Sequence, residues 1–242
     1  MKNSSNNVAW LALPVIVLGT LSLLYFGALR PEVIPTHWPG AWISNSFVDG
    51  KLKYQFVILV VAVAVLAFTS ALAPQNARRF YRWGNPNAAA GPLRWLGIGP
   101  GDSWMQVGRS FAVIVSLATA AFIYFNVVRG QSLNTANLRA WPFIFVLAAM
   151  NAFTEESITR LSVVTALDGR VSRALLYAIS ALLFGVPHYF GVPGGILGSL
   201  MAIFLGGLLA KSVAETEGLF WAWFIHFLQD VIIFAGLFLA VG

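Results

Sequence analysis

The chain has 242 residues, 58% of them hydrophobic and only 10% charged, with a net charge of +6 and no cysteine. A soluble domain is nearer half apolar and a quarter charged, so a soluble fold is excluded. Disulfides, thiolate metal ligands and a cysteine nucleophile are excluded too.

Several apolar runs approach the ~20 residues that a spanning helix needs, and none alternates with the period of two that a β-barrel strand requires. The expected fold is all-α: a polytopic transmembrane bundle of about seven to eight helices forming one integral domain. Within it, residues 1–140 supply N-terminal helices and a basic interfacial loop, and residues 141–242 a C-terminal helical core. The basic residues lie mainly in connecting loops, which follows the positive-inside tendency and gives no reason to expect a nucleic-acid partner.

In chain order, Lys2 to Asn7 is a polar head expected to be disordered. Val8 to Leu29 is longer than a signal-peptide core, lacks a small-residue cleavage site and reads as a retained span. A loop with Pro31, Pro35 and Pro39 follows; Trp38 and Trp42 suit the membrane interface, and His37 a solvated or interfacial position. The second span is Tyr54 to Leu72. Residues 73–109 carry Arg78, Arg79, Arg82, Arg94 and Arg109 against the single acid Asp102, interleaved with Phe80, Tyr81, Trp83 and Trp95. That composition suits contact with anionic headgroups. Gly97, Gly99 and Gly101 do not follow a strand, so they read as turns and not as a phosphate loop.

The third span is Ser110 to Val128 and the fourth Trp141 to Leu167, with Pro142 tolerated in its first turn. Asp168-Gly169 marks a turn. The fifth span is Arg173 to Tyr189, the sixth Ile196 to Val213 with small faces at Gly198, Gly206, Gly207 and Ala210, and the seventh Leu219 to Ala240. The charge pattern of alternate loops puts residues 73–109, 168–173 and the N-terminus in the cytoplasm, although Arg30, Lys51 and Lys53 oppose this.

The chemistry concentrates in three apolar segments. Asn151 to Arg160, NAFTEESITR, holds adjacent Glu155 and Glu156; FGVPH ends at His188; HFLQD runs from His226 to Asp230. Carboxylates inside a bilayer are expensive and point to function by default. At ~1.5 Å per helical residue, Glu155 and His188 lie about 20 and 27 Å from the turn at Asp168, and His226 and Asp230 about 12 and 18 Å from the turn before the last span. One shared middle zone is therefore permitted. Glu156 and Arg160 are spaced to pair on one helix face, whereas Glu155 is rotated by about 100° and can face elsewhere.

This suggests one structural and one working glutamate, the latter a general base or acid. His226 and Asp230 share a face, and Pro187 should kink its helix beside His188. The plainer readings are a helix-locking ion pair for Glu156–Arg160, interhelical hydrogen bonds for the histidines, a polar tie to His226 for Asp230 and packing for Phe184. Glu155 fits them least, because Arg160 cannot easily neutralise both acids.

E-E-x-x-x-R, F-x-x-x-H and H-x-x-x-N/D, in that order on hydrophobic helices, resembles the CPBP family of intramembrane proteases, which includes type II CAAX prenyl endopeptidases and bacteriocin self-immunity proteins. The resemblance rests on Glu155, Glu156, Arg160, Phe184, His188, His226 and Asp230 and spans about Asn151 to Val231. Leu161 stands where members often have glycine after the arginine, and Asp230 where they often have asparagine. An aspartate donates a hydrogen bond only when protonated.

The resemblance implies that Glu155 and His188 activate water for attack on a peptide carbonyl, that His226 with Asp230 stabilises the oxyanion, and that Glu156 and Arg160 brace the site. The family has been described both as metal-dependent and as glutamate-dependent. Glu155, His188 and His226 could ligate zinc, but the H-E-x-x-H helix is absent, so a metal-free mechanism with no cofactor is the preferred expectation. The implied partners are a membrane-associated protein or peptide substrate and the bilayer, and the implied location is a bacterial-type plasma membrane. The competing readings are a non-catalytic scaffold or immunity factor, and a proton-coupled transporter.

Overall fold

The computed structural model describes residues 10–29, 46–133, 141–192 and 194–240, apart from the side chains of 46 and 47. The polar head and the proline-rich loop with His37, Trp38 and Trp42 lie outside them, as does Pro193 in the turn before the sixth span.

The architecture is helical throughout. Helix α1, Ala12–Leu24, runs into a π-helical turn at Tyr25–Leu29. Helix α2 is Ser46–Leu72 and α3 is Pro74–Phe80. Helix α4, Trp104–Ile123, also ends in a π turn, Tyr124–Val128. Its start is set by a capping box in which Ser103 and Gln106 satisfy each other's backbone amides. A central rod follows: α5, Trp141–Glu156, a π turn at Ser157–Leu161, and α6, Ser162–Leu167. Helix α7 is Arg173–Gly185, with a 3-10 turn at Pro187–Phe190; α8 is Gly195–Thr216 and α9 is Phe220–Ala240.

Among the described residues, six helices are long and apolar enough to cross a membrane: Ala12–Leu29, Val48–Leu72, Trp104–Val128, Arg173–Phe190, Gly195–Thr216 and Phe220–Ala240. Their outer faces carry exposed apolar side chains such as Leu18, Val60, Val63, Leu117 and Leu200, which suits lipid. The rod from Trp141 to Leu167 differs, because every residue from Glu156 to Asp168 is buried. Helices α1, α2, α7, α8 and α9 pack around it. The physical reason is its composition. Lipid cannot solvate Glu156, Thr159, Arg160, Ser162 and Thr165, so their helix is sheathed by apolar neighbours. The hydroxyls that can do so bond backward along the rod, Thr159 to the Glu155 carbonyl at 2.7 Å and Ser162 to that of Ile158. From α7, Ser180 donates to the Thr159 carbonyl at 2.7 Å, satisfying backbone that the π turn loosens.

Close packing of α7 on α8 depends on two glycines. A Cβ on Gly185 would stand 2.2 Å from Ile203 Cγ1 and 2.7 Å from the Ile203 backbone nitrogen, and one on Gly206 would stand 2.9 Å from Ala181 Cα. The small face expected of the sixth span is thus present at Gly206, whereas a Cβ on Gly207 would find Ala181 only at an ordinary 3.8 Å.

Residues 73–109 form a clasp over one end of the bundle. Asn85 N donates to the Thr216 carbonyl at 2.8 Å and Leu219 N to that of Arg82 at 2.9 Å. Arg79 pairs with Asp168 at 3.0 Å and Glu217 at 2.7 Å, and Arg82 also reaches Glu217. Glu215 accepts from Gly91 N at 3.0 Å and Trp104 Nε1 at 2.9 Å while paired with Lys211. Arg79 and Arg82, though exposed, thus also meet acids at the ends of the rod and α8. Arg78, Arg94 and Arg109 are exposed and make no ion pair among the described residues. Trp83 and Trp95, 56% and 71% exposed, stand beside them in sequence.

Candidate active site

The rod and α9 lie side by side, and their polar residues meet. Glu156 is completely buried, and its Oε1 accepts from Arg160 Nη1 at 2.7 Å across one helical turn. The same oxygen lies 2.7 Å from His226 Nδ1 on α9. A carboxylate only accepts, so Nδ1 carries the proton in that contact. The other ring nitrogen, Nε2, then faces Asp230 Oδ2 at 3.5 Å and Glu155 Oε2 at 3.8 Å. Adjacent glutamates thus address opposite edges of one imidazole.

Glu155 and Glu156 also differ in surroundings. The Glu155 side chain keeps 16% of its exposure, against none for Glu156. Glu155 lines a cavity of about 650 Å³ together with His188, His226 and Asp230; Glu156 and Arg160 sit behind that wall. The cavity is polar at this end. Elsewhere it is lined by apolar residues of α1, α4 and α8, including Leu24, Ile114 and Phe204. A largely apolar cavity with a few convergent polar groups is the form that small binding and catalytic sites take.

His188 enters from α7. The helix ends at Gly185, and the 3-10 turn begins at Pro187, which lacks the N–H to continue the ladder. His188 Nδ1 is 2.7 Å from the Phe184 carbonyl. A carbonyl only accepts, so Nδ1 bears the hydrogen and Nε2 is left to act on the cavity. Among the described residues no ion pair joins His188 to Glu155; both line the cavity. Phe184 links the pieces. Its ring centroid lies 4.2 Å from that of His188, 5.3 Å from that of His226 and 3.6 Å from Arg160 Cζ. The guanidinium is therefore held by an aromatic face as well as by Glu156. This matters because Arg160 Nε and Nη2 have no hydrogen-bond partner among the described residues.

Every residue singled out from the sequence therefore lies at this cluster or on its wall, and two further groups of side chains join them. Asn151 Nδ2 is 3.0 Å from Glu155 Oε1 and 3.1 Å from Asp230 Oδ2. Gln55 on α2 donates to Asn151 Oδ1 at 2.7 Å. Gln229, beside Asp230, is tied to Thr119 at 2.5 Å and to Ser116 at 3.3 Å on α4. Asn151 could have been found in the sequence, because Asn151, Glu155 and Thr159 are spaced by four and share a face. Gln55 carries no such signal.

Among the described residues no group of three or more His, Asp or Glu side chains is disposed to hold an ion. His226 and His188 each commit Nδ1, to Glu156 and to a backbone carbonyl, and keep Nε2 for the cavity that both line.

Residues 137–232 match the family model of type II CAAX prenyl endopeptidases, Rce1-like. The match contains Glu155, Glu156, Arg160, Phe184, His188, His226 and Asp230, and it agrees with the resemblance to the CPBP and CAAX proteases read from those residues. With six helices among the described residues long and apolar enough to span, the chain is an integral multi-pass membrane protein, and its residues 137–232 are similar to the type II CAAX prenyl endopeptidases. Among curated proteins and solved structures, none matches the chain.

Proposed function

We propose that the protein is an intramembrane endopeptidase that hydrolyses peptide bonds of membrane-associated substrates with water activated by Glu155 and His188. The observation that carries this reading is the division of the glutamate pair: Glu156 is sealed with Arg160 behind the cavity wall, while Glu155 faces the cavity that His188 and His226 also line.

In this reading water sits between Glu155 and His188 Nε2. Glu155 takes its proton as the water oxygen adds to the scissile carbonyl carbon. The oxyanion accepts a hydrogen bond from Nε2–H of a doubly protonated His226 ring, whose Nδ1–H stays on Glu156 and which Asp230 orients. Collapse of the tetrahedral species breaks the carbon–nitrogen bond, and the proton held by Glu155 passes to the leaving amine. Arg160 pairs with Glu156, and Glu156 fixes the His226 ring. The apolar remainder of the cavity suits a substrate presented from lipid, and exposed Arg78, Arg94 and Arg109 suit anionic headgroups at the clasp.

The test uses purified protein in detergent with a peptide library offered with and without lipid modification. Glu155→Gln should abolish cleavage with thermal stability nearly intact, and a chelator should leave turnover unchanged. If the wild type cleaves nothing and Glu155→Gln unfolds readily, the polar cluster is a scaffold. Solute uptake into liposomes that Glu155→Gln stops would instead make the protein a transporter.

A further inference from the structure

We infer that Asn151 is a positioning residue whose amide holds the Glu155 and Asp230 carboxyls side by side; this rests on the proteolytic reading above. Asn151 also lines the cavity. An amide nitrogen carries two hydrogens. At 3.0 Å from Glu155 Oε1 and 3.1 Å from Asp230 Oδ2, the Asn151 nitrogen has one for each.

The orientation is fixed. Turned about, the amide would set its own oxygen against two carboxyl oxygens. Gln55 secures it by donating to Oδ1 at 2.7 Å, and in doing so leaves its own buried Oε1 with no partner among the described residues. A network that leaves an acceptor unsatisfied in order to aim an NH2 group at two acids favours that aim over local stability.

The consequence for chemistry is a division of labour within Glu155. Its Oε1 is held by Asn151, and its Oε2 is turned toward His226 Nε2, the proposed oxyanion donor, and is left to take the proton of the water. Asp230 stands where the resembled family often has asparagine, and an ionised aspartate donates nothing. Here the amide comes from the neighbouring helix instead. The charged and titratable groups around it are Glu155, Asp230, His226, His188, Lys51 and Tyr54 on the cavity, with Glu156 and Arg160 behind its wall.

Asn151→Asp keeps the shape and removes the donor. With a peptide that the wild type cleaves, kcat should fall about ten- to a hundredfold while KM stays within about threefold, and the pH–rate profile should move. Adding Asp230→Asn returns an amide to the 151–230 contact and should recover most of the loss. Gln55→Leu frees the Asn151 amide to turn and should lower kcat by a smaller factor. Unchanged kcat and pH profile in Asn151→Asp, or no recovery in the double variant at wild-type melting temperature, would overturn the inference.

If the wild type cleaves no peptide, the protease reading fails and positioning is read directly. Carboxyl infrared bands over a pH titration, assigned with Glu155→Gln and Asp230→Asn, should shift in Asn151→Leu. Bands that stay in place refute the role.

Discussion

Glu156 meets His226 through a single oxygen, Oε1, at 2.7 Å from Nδ1, and the two residues stand 70 positions apart in the chain. Arg160 binds that same oxygen at 2.7 Å. Neutralising the buried acid and aiming the imidazole are therefore one contact and not two. Arg160→Met should leave Glu156 as an uncompensated buried charge and destabilise the protein by about 3–5 kcal/mol. Arg160→Met with Glu156→Leu should recover much of that. Thermal unfolding in detergent reads both; equal melting of the wild type and the single variant would count against the coupling.

The two histidines should part company under substitution. Among the described residues, His188 hydrogen-bonds to the carbonyl of Phe184 one turn earlier, whereas His226 ties α9 to the rod. His188→Phe is expected to cut kcat by about a hundredfold or more with little change in melting. His226→Phe should lose activity and also about 1–3 kcal/mol of stability, because Glu156 loses a buried donor. Parallel turnover and melting measurements on the two variants separate these outcomes.

Gly185→Ala offers a steric test of the site's frame. The added methyl would stand 2.2 Å from Ile203 Cγ1 and 2.7 Å from backbone, so α7 and α8 must separate. The expected loss is about 1–3 kcal/mol. The 3-10 turn bearing His188 should shift with α7, so turnover should fall further than Gly206→Ala lowers it. Equal effects of the two substitutions on turnover would refute a special link to His188.

Much of this was legible in the residues. The spacing of Glu156 and Arg160 allowed their pairing, and Pro187, expected to kink its helix, stands where α7 gives way to a 3-10 turn. The order of polar residues on apolar helices marked where the cluster lies. What spacing could not give was the partner of His226, because which face of the rod meets α9 is decided by packing. The π turn at Ser157–Leu161 was also invisible, since nothing in SITRL distinguishes it from ordinary helix. Composition also could not show that Arg79 and Arg82 meet Asp168 and Glu217, because only the fold brings those distant acids to the basic loop.

Glu217 supplies a pH prediction at that clasp. Its carboxyl lies below the ordinary value of 4.5, chiefly through the hydrogen bond from Arg79; burial opposes this, and the Arg79 and Arg82 charges and the Arg82 hydrogen bond add to it. A depressed folded value means stability that is present above the ordinary value and lost as pH falls through the folded one. Wild type should therefore melt above Glu217→Gln by a constant margin at neutral pH, and the margin should close in acid below about 4.5. The groups are largely exposed, so added salt should also shrink it. A margin independent of both would count against the pairing.

The sheathed rod also constrains how the protein is made. A nascent segment bearing Glu155, Glu156 and Arg160 meets the translocon before the last helix exists, and acids at mid-membrane cost about 2.5–3.5 kcal/mol each to insert. Its imidazole partner arrives only with His226 on α9. Partitioning of the rod should thus remain incomplete until synthesis is nearly finished. A chain halted before Phe220 should expose that segment to quality-control proteases, and a pulse-chase comparison with the full chain would reveal the shorter lifetime.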